Sequence, residues 1–475
     1  MVFSSVVFLL YFLPVFLLIY YITPKKYKNI VLLFSSIFFY AWGAPKFIFV
    51  ILGTTFIDFH LVQWMNEASN IFRKRLLFTL SISLNLGLLI YFKYSNFFIE
   101  NANAVLSVFG DSSIHWTKLL LPIGISFYTF ETITYVVDVY RKIHKPLDKF
   151  WDYQLYIILF PKLIAGPIVR FHEIADQLTD RSQNDTVDNR LTGFYRFTLG
   201  LAKKVLIANQ IGFYADTIFG MNYSTLDSYS AWMGILAYSF QLYFDFSGYS
   251  DMAIGLAKMI GFKLPENFNN PYTAHSITEF WRRWHMTLNR WFVDYFFIPF
   301  TIEKRHWEKT VIPLGLLLTF GLSGLWHGAA WSFVFWGLYH GVLVILERAF
   351  LLKSYKKTGK AFSIVITFIL VMIGFVFFKV ESLSKAFTYL ERMFVFDFHS
   401  SFYFDQKFYF FLALSFFFSF FTVFTFGQKI QDAVYFKPYN NTRHFGMTIT
   451  TMVLFILSLS FITSAEFNPF IYFRF

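Results

Sequence analysis

The chain has 475 residues, 56% hydrophobic and only 15% charged, with a net charge of +12 at pH 7 and a mean hydropathy of +0.50. A soluble domain of this length would need far more charge to cover its surface, so that class is excluded. Cysteine is absent, which removes thiol nucleophiles, disulfides and cysteine-ligated zinc.

Apolar stretches of about 20 residues recur along the whole sequence, each long enough for a hydrocarbon core of roughly 30 Å. They are continuous, without a period of two, so they read as helices. The first, Val2 to Tyr21, lacks a basic start and a small-residue cleavage site and reads as a retained helix. Spans follow near 29–42, 45–66, 76–99 and 119–139. Basic loops at 24–28, 73–75 and 141–149 alternate with lightly charged ones, which places the N-terminus outside and the basic loops in the cytoplasm. Lys and Arg confined to such loops are membrane anchors and do not form a nucleic-acid surface.

Stretches near 151–169, 191–213 and 229–261 are interrupted by Pro161, Gly166, Pro167 and Gly248. Broken helices at membrane depth need protein or a water-filled cavity around them. Polar runs from His172 to Arg190 and from Lys263 to Glu308 read as cytoplasmic or interfacial. Plain spans near 308–325, 329–350, 361–379, 406–427 and 445–464 complete the chain. The expected fold is an all-α polytopic membrane protein with about 11 full crossings plus re-entrant or interfacial helices, in one domain over 1–475. Its core is expected at about 119–350, with peripheral helices at 1–99 and 361–464.

Ionisable groups inside a span cost about 2.5–3.5 kcal/mol each on insertion scales, so they mark three segments. In Gly324-Leu325-Trp326-His327-Gly328, a histidine flanked by glycines lies between two apolar stretches. Its imidazole titrates near neutrality and suits removal of a hydroxyl proton; the alternative is a packing histidine bonded to a carbonyl. In Ser276 to His285, a helix would put Trp281, His285 and Asn289 on one face and pair Glu279 with Arg283, with Thr278 as N-cap. Arg282 and Arg283 suit either a membrane interface or an anionic carrier. In Tyr243 to Asp251, Asp245 and Asp251 flank Gly248 within an apolar stretch, which argues for a polar interior or a broken helix. The alternative is a structural role for each carboxylate, holding an arginine or a backbone amide; that reading is preferred for Asp251, and both readings stay open for Asp245. His340 stands 13 residues after His327 and would face another way on one helix, which argues against a shared metal. The remaining histidines, His399 among them, have no comparable surroundings.

These motifs resemble the membrane-bound O-acyltransferase family, in its branch of bacterial alginate and peptidoglycan O-acetylation proteins. The likeness runs from Met1-Val2-Phe3-Ser4-Ser5 through Leu121 to Tyr128, Leu163 to Pro167, Glu266-Asn267-Phe268 and Arg282 to His285, ending at Leu325 to Gly328; beyond about Phe350 only hydrophobicity agrees. Where the family has an arginine before the aspartate and a Gly-Gly turn, this chain has Val293 and Phe300-Thr301-Ile302.

The resemblance implies helices around a central funnel, His327 as the catalytic histidine and His285 as its polar companion. It also implies a binding surface for substrate that includes Arg282, Arg283, Trp326, Asp245 and Tyr243. It implies no resident cofactor or metal, an acetyl thioester donor (acetyl-coenzyme A), and an extracytoplasmic esterase-like transferase as partner in a bacterial inner membrane. The 69 phenylalanines fit an AT-rich genome, which leans the acceptor towards peptidoglycan over an alginate-like polymer. The competing readings are a transporter or flippase of envelope precursors, D-alanyl transfer to teichoic acid, and a scaffold with structural histidines only.

Overall fold

The computed structural model describes residues 1–110, 113–398, 402–464 and 470–471; His399 lies outside them. Every regular element among the described residues is helical. Seven helices are long and apolar enough to cross a membrane: Ile48–Glu67, Ile71–Val108, Arg305–His327, Trp331–Leu351, Lys360–Lys379, Gln406–Val423 and Asn441–Ser464. Large apolar side chains such as Phe34, Phe56, Phe410 and Phe417 point outward and are more than half exposed, as a lipid-facing surface requires. The chain is a multi-pass membrane protein.

It forms two compact units, Met1–Arg190 with Leu256–Leu264, and Leu191–Gly255 with Pro265–Phe475. The first contains α1 (Leu13–Ile22), α2 (Lys28–Gly43), α3 (Ile48–Glu67), α4 (Ile71–Leu89), α5 (Ser95–Val108), α6 (Ile125–Tyr140), α7 (Phe150–Ile158) and α8 (Phe171–Thr179). Several polar groups inside it are paired. Asp58 of α3 accepts from Ser81 at 2.5 Å and Asn85 at 2.7 Å on α4. The apolar stretch at 151–169 does break where its prolines and glycine fall: α7 stops at Ile158 and the chain continues in buried turns. Lys162, in those turns, is fully buried and forms an ion pair with Glu131 of α6, with its ammonium 4.6 Å from the Tyr156 ring. Two desolvated charges persist there only because each neutralises the other.

The second unit contains α9 (Val187–Ala202, from Leu191 on), α10 (Asn209–Phe219), α11 (Ser228–Met259, up to Gly255), α12 (Ile277–Arg283), α13 (Met286–Phe292) and α14 (Ile298–Glu303). It continues with α15 (Val311–His327), α16 (Trp331–Leu346), α17 (Leu352–Thr358), α18 (Lys360–Lys379), α19 (Leu383–Met393), α20 (Gln406–Phe420), α21 (Thr425–Tyr435) and α22 (Asn441–Ser464). Three expectations are corrected here. Gly248 does not break its helix: α11 runs 32 residues through it. The glycine serves a helix crossing instead, since a β-carbon on Gly248 would lie 2.7 Å from the Gly200 carbonyl of α9. The segment around His285 is not one helix either. α12 ends at Arg283 and α13 begins at Met286, so Trp281, His285 and Asn289 do not share one helical face. The N-cap of α12 is Ser276, whose hydroxyl accepts from the Glu279 amide at 3.0 Å, in place of Thr278. The Glu279–Arg283 pair forms as expected.

In the first unit, His172 stands in the polar run after α7 and its Nδ1 lies 2.8 Å from Asp138 Oδ2. The hydrogen bond to Asp138 raises the imidazole pKa above its usual value, with partial burial opposing and smaller effects from Arg170 and Glu173. A raised pKa means stability that is fully present below the unfolded value, roughly 6.5, and lost as pH rises through the folded one. The melting temperature of the purified protein is therefore expected to fall between slightly acidic and alkaline pH. In His172→Gln that decline is expected to be smaller; an unchanged slope would remove the pair from the pH response.

Candidate active site

α15 and α16 form an antiparallel hairpin joined by Gly328-Ala329-Ala330. Their backbones touch: β-carbons on Gly324 and Gly337 would each lie 2.2 Å from a facing carbonyl, of Phe333 and Phe320 respectively. No side chain larger than hydrogen fits. His327 is the last residue of α15, where this contact fixes the direction of the helix end. It is 3% exposed. Its ring packs edge-to-face on Trp326 (4.9 Å), Trp336 (5.1 Å) and Phe378 (5.2 Å), which holds it in a water-poor pocket of aromatic walls.

His285 faces it, with ring centroids 6.3 Å apart. It sits between α12 and α13 with φ 45° and ψ 51°, a left-handed conformation that is rare outside glycine and asparagine. Such strain persists only where the surroundings hold it, and it is commonest at functional sites. The holder is Asn267. Its carbonyl accepts from the Met286 amide at 2.9 Å. Its side-chain Oδ1 accepts from Thr287 Oγ1 at 2.9 Å and the Thr287 amide at 3.3 Å, and lies 3.1 Å from His285 Nδ1. Asn267 Nδ2 donates to Ser250 of α11 at 3.1 Å. An oxygen that receives a main-chain N–H is the acceptor end of the amide, so His285 carries its proton on Nδ1 and its basic lone pair on Nε2. Phe246 closes the far side of the ring at 4.7 Å, and Trp326 lies 5.9 Å from it. Trp326 thus touches both imidazoles, and two histidines far apart in sequence meet in one buried pocket.

The other expected residues divide. Asp251 holds Arg196 (2.9 Å) and Lys203 (2.6 Å), with Glu266 also on Arg196; this is the arginine-holding role expected for it. Asp245 is buried in an ion pair with Lys204 and accepts from the Ile471 amide at 2.8 Å. Phe470, beside it, stacks on Tyr249 at 4.7 Å. Tyr243 lines a cavity together with Asp251. Arg282 is exposed, and Arg283 is shared between Glu279 and Thr273. His340 does not join His327 directly, yet both rings pack on Trp336 (His340 at 5.4 Å). The residue that sequence reasoning undervalued is Asn267. It lies 18 positions before His285 in a loop, and only its place in the Glu266-Asn267-Phe268 motif marked it.

Two buried imidazoles thus face each other across an aromatic pocket at the end of a membrane-crossing helix. Residues 148–383 match the family described as MBOAT, membrane-bound O-acyltransferase family. The chain belongs to that family and is an acyltransferase. It is 43% identical over 397 residues to the probable alginate O-acetylase of Azotobacter vinelandii, covering 83% of this chain and 78% of that one. It is 44% identical over 398 residues to the probable alginate O-acetylase of Pseudomonas aeruginosa, covering 83% and 75%. Its identity to the peptidoglycan O-acetyltransferase of Helicobacter pylori is 36% over 427 residues, covering 83% and 80%.

Asn267→Ala removes the hydrogen bonds that Asn267 Oδ1 accepts beside His285. Misplacement of a group that serves the reaction costs about 10²-fold, so with His285 in the role proposed below acyl transfer is expected to fall by that order while the protein still elutes as a single species. Transfer within twofold of the parent would show that Asn267 does not position His285.

Proposed function

We propose that this acyltransferase takes acetyl from a cytoplasmic thioester, acetyl-coenzyme A, and passes it through the bacterial inner membrane towards O-acetylation of an envelope polysaccharide. An extracytoplasmic, esterase-like transferase is its partner on the outer side. The observation that carries this reading is the pair of facing imidazoles, His285 and His327, enclosed by Trp326, Trp336 and Phe246.

In the proposed step, a hydroxyl oxygen attacks the thioester carbonyl carbon. His327 accepts the hydroxyl proton, the C–S bond breaks, and the proton goes to the departing thiolate. A general base of this kind contributes about 10²–10⁴ in rate. His285 orients the acyl group or the hydroxyl, and Trp326 packs between the two rings as a wall for the small acetyl group. Exclusion of water protects the ester from hydrolysis and strengthens every polar contact inside. Arg282 and Arg283 are assigned to the phosphates of the donor, where charge-assisted hydrogen bonds suit them. Tyr243, on the cavity wall, and Asp245 are assigned to substrate binding. The relatives' names point to two acceptors, alginate and peptidoglycan, and the higher identities belong to the alginate O-acetylases.

The test is transfer of labelled acetyl from acetyl-coenzyme A by purified protein in lipid, with both polymers and candidate partner proteins offered. His327→Ala is expected to lose activity by at least about 10²-fold with donor binding retained. Equal transfer by the parent and the variant would contradict the assignment of His327. No transfer by either, with donor binding intact, would favour a transport role.

A further inference from the structure

Two cavities in the second unit share part of their walls. One, of about 420 Å³, is lined chiefly by apolar groups such as Leu199, Leu206, Phe418 and Val434, and reaches Asn267, which holds His285. The other, of about 270 Å³, is lined by polar ones: Arg283, Lys360, Thr422, Gln428 and Asp432. Among the described residues, Asn270 and Gln431 are the two that line both. They are bonded to each other, Asn270 Nδ2 donating to Gln431 Oε1 at 2.7 Å.

Each cavity also has, among its lining residues, one with a buried hydroxyl. Thr422 Oγ1 in the polar cavity and Ser247 Oγ in the apolar one have no hydrogen-bond partner among the described residues, although the residues are only 5% and 2% exposed. A hydroxyl left in that state costs free energy unless water or a ligand satisfies it. Asn270 has φ 46°, a conformation that asparagine tolerates better than most residues, and it precedes Pro271. Its amide is thereby presented from a fixed backbone. Gln431 comes from the middle of α21, beyond the matched family segment 148–383.

We propose that the Asn270–Gln431 hydrogen bond is a gate between a polar mouth and the apolar chamber that reaches Asn267, opened by the slender arm of a ligand whose phosphate-bearing head stays at Arg283 and Lys360. This rests on the thioester-donor reading above. The chemistry on the two sides of the gate fits one amphipathic molecule. The mouth supplies two cations, hydroxyls and amides to an anionic head, with Asp432 limiting how many phosphate charges can enter. The chamber supplies apolar walls to a narrow chain. A bridge between two amides is the contact that an amide-containing arm replaces most easily, because it offers a donor and an acceptor to the same two groups.

The absence of cysteine from the sequence allows a direct test. Ser247→Cys places a single thiol in the chamber, behind the gate. Its rate of modification by the anionic reagent 2-sulfonatoethyl methanethiosulfonate, which does not enter from lipid, is measured in purified full-length protein. Adding Gln431→Ala is expected to raise that rate about tenfold, the scale of one lost hydrogen bond. Gln431→Glu keeps an acceptor for Asn270 and is expected to stay slow. Coenzyme A is expected to slow modification in the Gln431→Ala background. Rates within twofold of each other in the Gln431 parent and alanine variant, or equally fast rates in alanine and glutamate variants, would overturn the gate. Lack of protection by coenzyme A would overturn the assignment of the arm. Should Ser247→Cys not fold, Ile254→Cys lines the same chamber. Thiol modification requires no acetyl transfer, so a gate that behaves as expected in a protein without transferase activity would separate this proposal from the functional reading.

Discussion

Gly324 and Gly337 let the backbones of α15 and α16 meet with no side chain between them, each within 2.2 Å of a facing carbonyl if it carried a β-carbon. In lipid there is no hydrophobic drive to press two helices together, so close van der Waals contact at small residues does that work. The hairpin is then too tight to let its end wander. His327 is the last residue of α15, and its direction is set by a backbone contact one turn away. The aromatic box of Trp326, Trp336 and Phe378 follows from the same contact, because Trp336 on α16 reaches His327 only where the two helices are this close. An imidazole so enclosed is shielded from bulk water, which suits the proposed thioester chemistry.

The opposing histidine is held by a different device. His285 has no long helix behind it, and its left-handed backbone is maintained by Asn267, which takes hydrogen bonds from the residues on its C-terminal side as well as from the ring. One asparagine thereby sets both the backbone and the tautomer. A rigid hairpin on one side and a strained loop on the other bring together two side chains 42 positions apart in sequence.

Much of this was legible in the sequence. Continuous apolar runs forecast membrane helices, and the glycine-flanked His327 stood out because an ionisable group at the end of an apolar stretch needs a reason to be there. Asp251 was read as structural, holding an arginine or a backbone amide, and it holds Arg196 together with Lys203. What failed were local inferences at the 276–289 segment and at Gly248. A helical pattern of Trp281, His285 and Asn289 is also met by two short helices with a break at His285, and only tertiary hydrogen bonds from Asn267 decide between them. A glycine in a helical stretch reads as a break when its neighbour is unknown; opposite Gly200 it is a crossing point. Asn267 itself was invisible to periodicity, because a loop residue carries no pattern and its partners lie on α11 and α13. Asp245 pairs with Lys204, 41 positions earlier, and with the Ile471 amide, 226 positions later, and neither partner leaves a local trace.

The claim on which the account stands is that the two imidazoles face one reacting centre. A cryo-electron microscopy structure of the full chain in lipid, with a non-hydrolysable acetyl-coenzyme A analogue bound, tests it most directly. The account predicts the acetyl carbonyl between the two rings, against Trp326 and within hydrogen-bonding reach of His327 or His285. An acetyl group bound elsewhere, with the space between His285 and His327 closed or filled by side chains, would contradict it.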